Sequence, residues 1–199
     1  MIFYLISFFL FILLLILFNY LAPKLRLIDK PNLRKKHIGN IPLIGGLVIY
    51  FNIFIFSFYF NTSFFMSTII FTSIILILLG ALDDAVELGV IFRLITQLIC
   101  CLIVIGSGLF IKNIGDYMSL PSIEIGFLSI VFTVFCVIGL TNSFNFIDGV
   151  DGLCSSLALI SILSVLLISL ISNTFIFLVD FDYLFLICFT ISLFTIFNI

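Results

Sequence analysis

Charged residues are scarce in this chain of 199 residues, where they make up 9% of the sequence. Ordinary globular proteins have about 25%. Hydrophobic residues account for 64% of the chain, and the mean hydropathy is +1.48. So little charge excludes a soluble domain with a solvated surface, and no nucleic-acid partner is expected. The sequence therefore predicts an integral membrane protein.

The chain also lacks the usual cysteine and histidine signals of metal or disulfide chemistry. It has a single histidine, His37, and its five cysteines form no C-x-x-C motif and no cysteine-histidine group. This spacing indicates neither a zinc site nor a disulfide framework. Free cysteine in apolar segments usually behaves as a small hydrophobic residue. We therefore expect core positions for Cys100, Cys101, Cys136, Cys154 and Cys188.

Long apolar runs fill most of the sequence. A helix needs about 20 apolar residues to cross a bilayer, and irregular backbone is excluded from lipid. The first run has no basic n-region and no small-residue cleavage site, so we interpret it as a retained anchor. The pattern predicts an all-α, polytopic transmembrane bundle forming one domain over residues 1–199. Its seven predicted helices lie near residues 2–22, 43–60, 64–82, 93–111, 124–141, 154–172 and 183–198.

Basic residues are concentrated after the first run. Six of the eight lie there: Lys24, Arg26, Lys30, Arg34, Lys35 and Lys36. Because an excess of Lys and Arg marks cytoplasmic loops, the amino terminus is predicted outside and the carboxyl terminus in the cytoplasm. Because successive connections between spans alternate sides, three polar segments then lie on the cytoplasmic face: 23–46, 83–93 and 142–153. A site built from these segments would open to the cytoplasm.

Two adjacent carboxylates, Asp83 and Asp84, stand at the predicted end of the third helix. Neighbouring carboxylates repel each other unless a cation lies between them or one takes up a proton. The pair therefore suggests a divalent metal or an acid-base role. A solvated acidic helix end is an equally open interpretation of these two residues alone.

Four oxygen-bearing side chains recur at three-residue intervals in the segment 142–153: Asn142, Asn145, Asp148 and Asp151. On a helix this spacing gives a slowly winding polar stripe, which the following glycines, Gly149 and Gly152, are expected to break. Carboxylate and amide oxygens suit Mg²⁺ or Mn²⁺. A polar helix cap and turn is the alternative.

The basic segment 29–46 contains Arg34, Lys35 and His37 and leads into Gly45-Gly46. Arginine and lysine suit phosphate, so the segment could capture a nucleotide diphosphate or a lipid phosphate. It could equally serve only as a topology signal. The two glycines permit either close backbone approach or tight helix packing, and the sequence leaves these two roles open.

Three motifs carry a family resemblance: D-K-P-N-L-R-K-K-H-x-G-x-I-P-L-I-G-G, G-A-L-D-D and N-S-F-N-F-I-D-G-V-D-G-L. In this order the chain resembles the polyprenyl-phosphate N-acetylhexosamine-1-phosphate transferases, in particular the bacterial members that use N-acetylglucosamine. The resemblance implies that a UDP-N-acetylhexosamine gives its sugar-1-phosphate to undecaprenyl phosphate. UMP is released, and Mg²⁺, with Mn²⁺ as an alternative, is the implied cofactor. It also implies a bacterial inner-membrane protein that initiates O-antigen or other cell-envelope polysaccharide synthesis from the cytoplasmic face; a homodimer is left open.

The same resemblance implies roles for individual residues. Asp83 and Asp84 would be the catalytic pair and, together with Asn145, metal ligands. Seven residues would bind the nucleotide sugar or phosphate: Arg34, Lys35, His37, Arg93, Asn142, Asp148 and Asp151. Arg93 stands where many relatives carry a lysine, whereas Ile91 stands where a basic residue is common, so one expected charge is absent.

Members of this family have ten or eleven helices, with a further F-x-G-D motif and a histidine-rich loop that this sequence does not contain. The chain is therefore expected to correspond to the amino-terminal part of such a transferase. One alternative is a truncated, non-catalytic membrane protein of the same family. A transporter or channel is disfavoured, because its ionisable residues would lie near mid-helix, whereas these cluster at the ends of helices.

Overall fold

The fold is an all-α bundle, as predicted. The computed structural model describes residues 2–29, 41–115, 123–147, 152–172 and 180–197. Two short strands, β1 (Ile28–Asp29) and β2 (Ile41–Pro42), pair antiparallel, and a 3₁₀ turn (Gly126–Leu128) precedes the fifth helix. The helices in these ranges are α1 (Ile2–Leu25), α2 (Gly45–Ser57), α3 (Phe64–Val86), α4 (Val90–Gly106), α5 (Ser129–Ile147), α6 (Leu153–Ser172) and α7 (Phe181–Phe197).

Four segments in the described residues are long and apolar enough to cross a membrane: α1, α3, α5 with its 3₁₀ turn, and α6. The apolar helices α2, α4 and α7 are shorter. Large hydrophobic side chains are exposed along α4, α5 and α6, where acyl chains rather than water are the natural solvent. These features are those of an integral membrane protein. The predicted orientation of the termini stays a prediction.

Successive helices from α2 to α7 contact one another, and α7 returns to contact α2 and α1. The main buried cluster lies where α1, α2 and α7 meet, around Phe11, Val48 and Leu193. A second cluster joins α2, α3 and α7 through Phe56, Ile70 and Leu186. The packed part of the bundle is therefore centred on α1, α2 and α7.

Gly45 begins α2 at a point of close contact with α7. A Cβ atom at this position would lie 2.5 Å and 2.6 Å from two ring carbons of Phe194. Such distances are too short for carbon atoms that are not bonded, so only glycine fits without moving the ring. Of the two roles that the sequence left open for Gly45, the structure favours tight helix packing.

A buried polar pair joins α1 to α2. Asn52 and Ser7 are both fully buried; the Ser7 hydroxyl donates to Asn52 Oδ1 at 3.1 Å, and Asn52 Nδ2 donates to the Ser7 carbonyl at 3.1 Å. Buried polar groups in a low-dielectric interior have to be paired. This reciprocal pair therefore fixes the register of the two helices.

Asp180 connects the start of α7 to the start of α3. Its carboxylate accepts from the Ser63 backbone N–H at 2.8 Å and from the Ser63 hydroxyl at 2.6 Å. The Ser63 hydroxyl in turn accepts from the Met66 N–H and caps α3. Asp180 is 6% exposed, so among the described residues two hydrogen-bond donors of Ser63 hold a carboxylate at a buried helix junction. This role of Asp180 was not predicted from the sequence.

Two helices continue into segments that were predicted to be loops. The third helix runs through Val86 and so includes Asp83 and Asp84, and the fifth runs through Ile147 and includes Asn142 and Asn145. Polar residues end a membrane span without ending a helix, because the backbone hydrogen bonds of a helix do not depend on apolar side chains. Gly152, with φ +70°, stands between α5 and α6, in agreement with its predicted helix-breaking role.

The β1–β2 pair was also not predicted. Its strands flank the basic segment that contains Arg34, Lys35 and His37, and these three residues lie outside the described residues. Two-residue strands have no hydrophobic alternation long enough to be recognised in a sequence.

Candidate functional site

A polar cavity of about 160 Å³ lies between α3, α4 and α5, at the end of α3 that carries Asp83. Its apolar wall consists of Leu76, Leu79 and Gly80, at helical spacing from Asp83 on one side of α3. A Cβ at Gly80 would meet no heavy atom within 4 Å, so this position leaves space open. The polar lining residues are Asp83, Arg93, Gln97, Thr141, Asn142 and Asn145.

Asp83 is held by both of its carboxylate oxygens. Oδ2 accepts from Arg93 Nη1 at 2.7 Å, and Oδ1 accepts from the Leu88 backbone N–H at 2.8 Å. The bond to Leu88 is possible because α3 ends in a left-handed residue, Glu87 (φ +52°), which turns the chain sharply toward α4. Asp83 therefore fixes the short connection between the two helices as well as facing the cavity.

Arg93 lies on the first turn of α4 and pairs with Asp83 across the cavity wall. The two side chains are 33% and 19% exposed, respectively, so the ion pair is neither fully buried nor fully solvated. A guanidinium has five N–H donors, and in the described part of the chain only the bond to Asp83 uses one. Arg93 can thus keep its carboxylate partner and still bind an anionic group.

Asn142 and Gln97 connect α5 to α4. Asn142 Nδ2 donates to Gln97 Oε1 at 2.9 Å and to the Ile138 carbonyl of its own helix at 2.8 Å. Asn145, one turn further along α5, is exposed and lines the same cavity, and its side chain makes no hydrogen bond to any described residue. The predicted pair Asn142 and Asn145 therefore shares one site with Asp83 and Arg93.

The donor set agrees in part with a magnesium site. A carboxylate and an amide, from Asp83 and Asn145, line one cavity, and hard oxygen ligands are those that Mg²⁺ prefers. Across the residues that the structure describes, no group of three or more His, Cys, Asp or Glu side chains is arranged to hold a metal ion. The described site therefore supplies part of a ligand set, and Mg²⁺ usually keeps water and substrate oxygens as its other ligands.

Not every predicted site residue reaches this cavity. Asp84 is exposed at the next position of α3 and is not among the lining residues. Asp148 and Asp151, like Arg34, Lys35 and His37, lie outside the described residues. Their roles, and the metal-binding role of Asp84, stay predictions.

Sequence reasoning missed Gln97. It is the glutamine four residues after Arg93 in an otherwise apolar helix, so the two side chains lie on the same helix face. A polar side chain at membrane depth usually has a partner, and this spacing pointed to a position beside Arg93. Thr141 also lines the cavity and was not predicted, although its neighbour Asn142 was predicted as a site residue at the same end of the helix.

Comparison with known proteins agrees with the motifs. Residues 65–199 match the sequence profile of the family described as Glycosyl transferase family 4. The chain is 34% identical, over 164 residues, to the undecaprenyl-phosphate alpha-N-acetylglucosaminyl 1-phosphate transferase of Escherichia coli (strain K12). The same name belongs to a Yersinia pestis relative that is 32% identical over 142 residues. A probable undecaprenyl-phosphate N-acetylglucosaminyl 1-phosphate transferase of Bacillus subtilis (strain 168) is 28% identical over 151 residues.

These alignments cover 81%, 70% and 73% of this chain, respectively, but only 45%, 39% and 41% of the relatives. The chain thus spans less than half the length of these curated relatives. The region that matches the family, residues 65–199, includes α4, α5 and all of α3 except its first residue, and it contains every residue that lines the polar cavity. The chain therefore belongs to glycosyl transferase family 4.

Proposed function

We propose that this chain takes part in the transfer of an N-acetylhexosamine-1-phosphate, with N-acetylglucosamine as the first candidate, from a UDP-sugar to undecaprenyl phosphate. The reaction would release UMP at the cytoplasmic face of a bacterial inner membrane. It would begin the synthesis of O-antigen or another cell-envelope polysaccharide. One observation carries the proposal: a family-matched cavity at the end of a membrane helix combines a carboxylate, a guanidinium and carboxamides.

The composition of this cavity suits phosphoryl transfer. An oxygen of the lipid phosphate would attack the sugar-linked phosphorus of the UDP-sugar, and the bond from that phosphorus to UMP would break. Such a step depends on positioning and on neutralising charge over the transferring oxygens. A lipid phosphate is already ionised near neutral pH, so its attack needs no strong base.

Arg93 supplies a fixed positive charge with donors left over for phosphate oxygens. Asp83 orients that guanidinium and holds the connection between α3 and α4 through Leu88. Asp83, Asp84 and Asn145 would hold Mg²⁺ or Mn²⁺, which would neutralise part of the diphosphate charge when bound. The apolar wall at Leu76 and Leu79 is continuous with the membrane span of α3, where the hydrocarbon part of a lipid acceptor can lie.

The proposal is tested by incubating the purified protein with UDP-N-acetylglucosamine, undecaprenyl phosphate and Mg²⁺ and measuring UMP. We expect UMP release that requires the lipid phosphate, and a parallel reaction with UDP-N-acetylgalactosamine compares the donors. Asp83→Asn removes the ion pair with Arg93 at constant size and should lower the rate at least about 100-fold, as for other positioned charges in active sites.

Asp182→Asn is the matched control for this substitution. Asp182 is exposed in the first turn of α7, beside the junction of Asp180 with Ser63, whereas Asp83 lies at the other end of α3. The control should keep the activity of the unchanged protein. Folded protein that releases no UMP with either donor would refute transferase activity for this chain, and equal activity of the Asp83→Asn variant would refute the assignment of the site.

A further inference from the structure

The orientation of the Asn142 amide is fixed by its partners. The Ile138 carbonyl can only accept a hydrogen bond, so the atom of Asn142 that faces it at 2.8 Å has to be Nδ2. The same Nδ2 donates its second hydrogen to Gln97 Oε1. Both hydrogens of this amide are then used, and Asn142 can offer a ligand only its acceptor, Oδ1.

The orientation of the Gln97 amide follows from that of Asn142. Because Oε1 accepts from Asn142, the other amide atom, Nε2, is the donor that remains. In the described ranges Nε2 donates to no protein acceptor, and Gln97 lines the cavity. Gln97 and Arg93 stand four residues apart on α4, so one wall of the cavity carries their N–H donors together.

The opposite wall has the complementary chemistry. On α5, Asn142 offers Oδ1, and Asn145 adds another carboxamide one turn away. The α4 wall therefore suits an anion, and the α5 wall suits a cation or a ligand hydroxyl. A diphosphate with a bound divalent cation has anionic oxygens and a cation within a few ångströms of each other. Its oxygens match the α4 wall, and its cation matches the α5 wall.

Building on the function proposed above, we propose that Gln97 is a substrate-binding and positioning residue. Its Nε2 binds an oxygen of the nucleotide-sugar diphosphate beside Arg93, and its Oε1 holds the Asn142 amide with Oδ1 directed to the cation side. The Ile138 carbonyl sets the orientation of Asn142, and the Gln97–Asn142 bond passes that orientation on to the α4 wall, where it leaves Gln97 Nε2 as a donor.

Gln97→Glu separates the two roles of this side chain. The introduced carboxylate still accepts from Asn142 but places a negative oxygen where the donor was. We expect the dissociation constant for UDP-N-acetylglucosamine, measured with Mg²⁺ on the purified protein at about pH 7, to rise at least about ten-fold. Gln97→Met, which lacks donor and acceptor, should weaken binding by a similar factor, and it serves as the second variant if the first does not fold.

Lowering the pH provides a readout that a purely structural role would not change. A glutamate takes up a proton as the pH falls toward about 4 to 5, and its O–H then becomes a donor again. The Gln97→Glu protein should recover binding over this range relative to the unchanged protein at the same pH. The Gln97→Met protein should show no such recovery. Asp83 and Arg93 are the charged side chains that line the described cavity, and the unchanged protein, which has both, is the reference at each pH.

Thr96→Val is the matched control on the same helix. The Thr96 hydroxyl bonds the Phe92 carbonyl of α4, and the residue does not line the cavity, so the dissociation constant should change less than about two-fold. Unchanged affinity in folded Gln97→Glu protein, or no binding by the unchanged protein, would overturn the inference. If UDP-N-acetylglucosamine binding depends on Gln97 but the unchanged protein releases no UMP, the proposed transfer reaction is refuted and this inference still holds.

Discussion

Arg93 carries the fixed positive charge of the candidate site, and its contribution depends on geometry as well as charge. Its bond to Asp83 uses one N–H and leaves the rest of the guanidinium for a ligand. Lysine preserves the charge but has a compact ammonium in place of the planar fork. The chemistry of this position is therefore sensitive even to a substitution that conserves charge.

We predict that Arg93→Lys retains the fold but lowers the rate of UMP release about ten-fold, because one ammonium cannot contact Asp83 and two phosphate oxygens in the same geometry. Steady-state kinetics with UDP-N-acetylglucosamine as the varied substrate measure the effect. Arg26→Lys is the control, since Arg26 is exposed and lies outside the cavity. Full activity of the Arg93→Lys protein would mean that Arg93 acts only as a charge.

At the level of single residues, the sequence predicted Asp83, Arg93, Asn142 and Asn145 as site residues. The structure places the four around one cavity, and their roles in binding and catalysis stay predictions. Gln97 was missed because its significance lies in a contact made across 45 positions of sequence. The orientation of the Asn142 amide could not be predicted either, because it depends on which partner atoms surround it.

Among the helices, the close contact of α2 with Phe194 of α7 requires a residue without a side chain at Gly45. We predict that Gly45→Ala lowers the free energy of unfolding by about 1–3 kcal/mol, the usual cost of overpacking, because the Phe194 ring is itself packed against the main buried cluster. Thermal unfolding in detergent measures this change.

Gly46→Ala is the control for Gly45→Ala. A Cβ at Gly46 would meet only the end of the Ile77 side chain, at 3.4 Å. Combining Gly45→Ala with Phe194→Leu should restore part of the lost stability, because the smaller side chain vacates the space of the ring. Equal stability of the Gly45→Ala protein and the unchanged protein would show that α2 and α7 adjust at no cost.

The number and order of the helices followed from the apolar runs, whereas their ends did not. The predicted spans ended just before Asp83 and Asn142, but both residues lie inside helices, α3 and α5. Hydropathy measures where a segment leaves the lipid and not where its backbone hydrogen bonds stop. The hydrogen bonds that Asp180 accepts from Ser63 link positions 117 residues apart, a pairing that no local sequence pattern indicates.

For the whole molecule, the distribution of basic residues predicts which face carries the site. Asn61 and Gly89 lie beyond opposite ends of α3, whose 23 residues extend about 34 Å. We predict that, in intact bacteria, a membrane-impermeant maleimide labels the Asn61→Cys protein and fails to label the Gly89→Cys protein until the membrane is opened. The unchanged protein controls for the native cysteines. The reverse pattern would place the cavity on the exterior face.

The junction between Asp180 and Ser63 has a mechanical consequence for α3. Parting the helices there would leave a buried carboxylate without its donors, which is costly. At the other end, Asp83 holds α4 through Arg93 and Leu88 beside a cavity, where the remaining donors of the guanidinium can also contact an anionic ligand. The third helix thus has buried hydrogen bonds at its Ser63 end and, at its Asp83 end, a partly exposed ion pair beside the cavity, so separation from its neighbours would cost more at the Ser63 end.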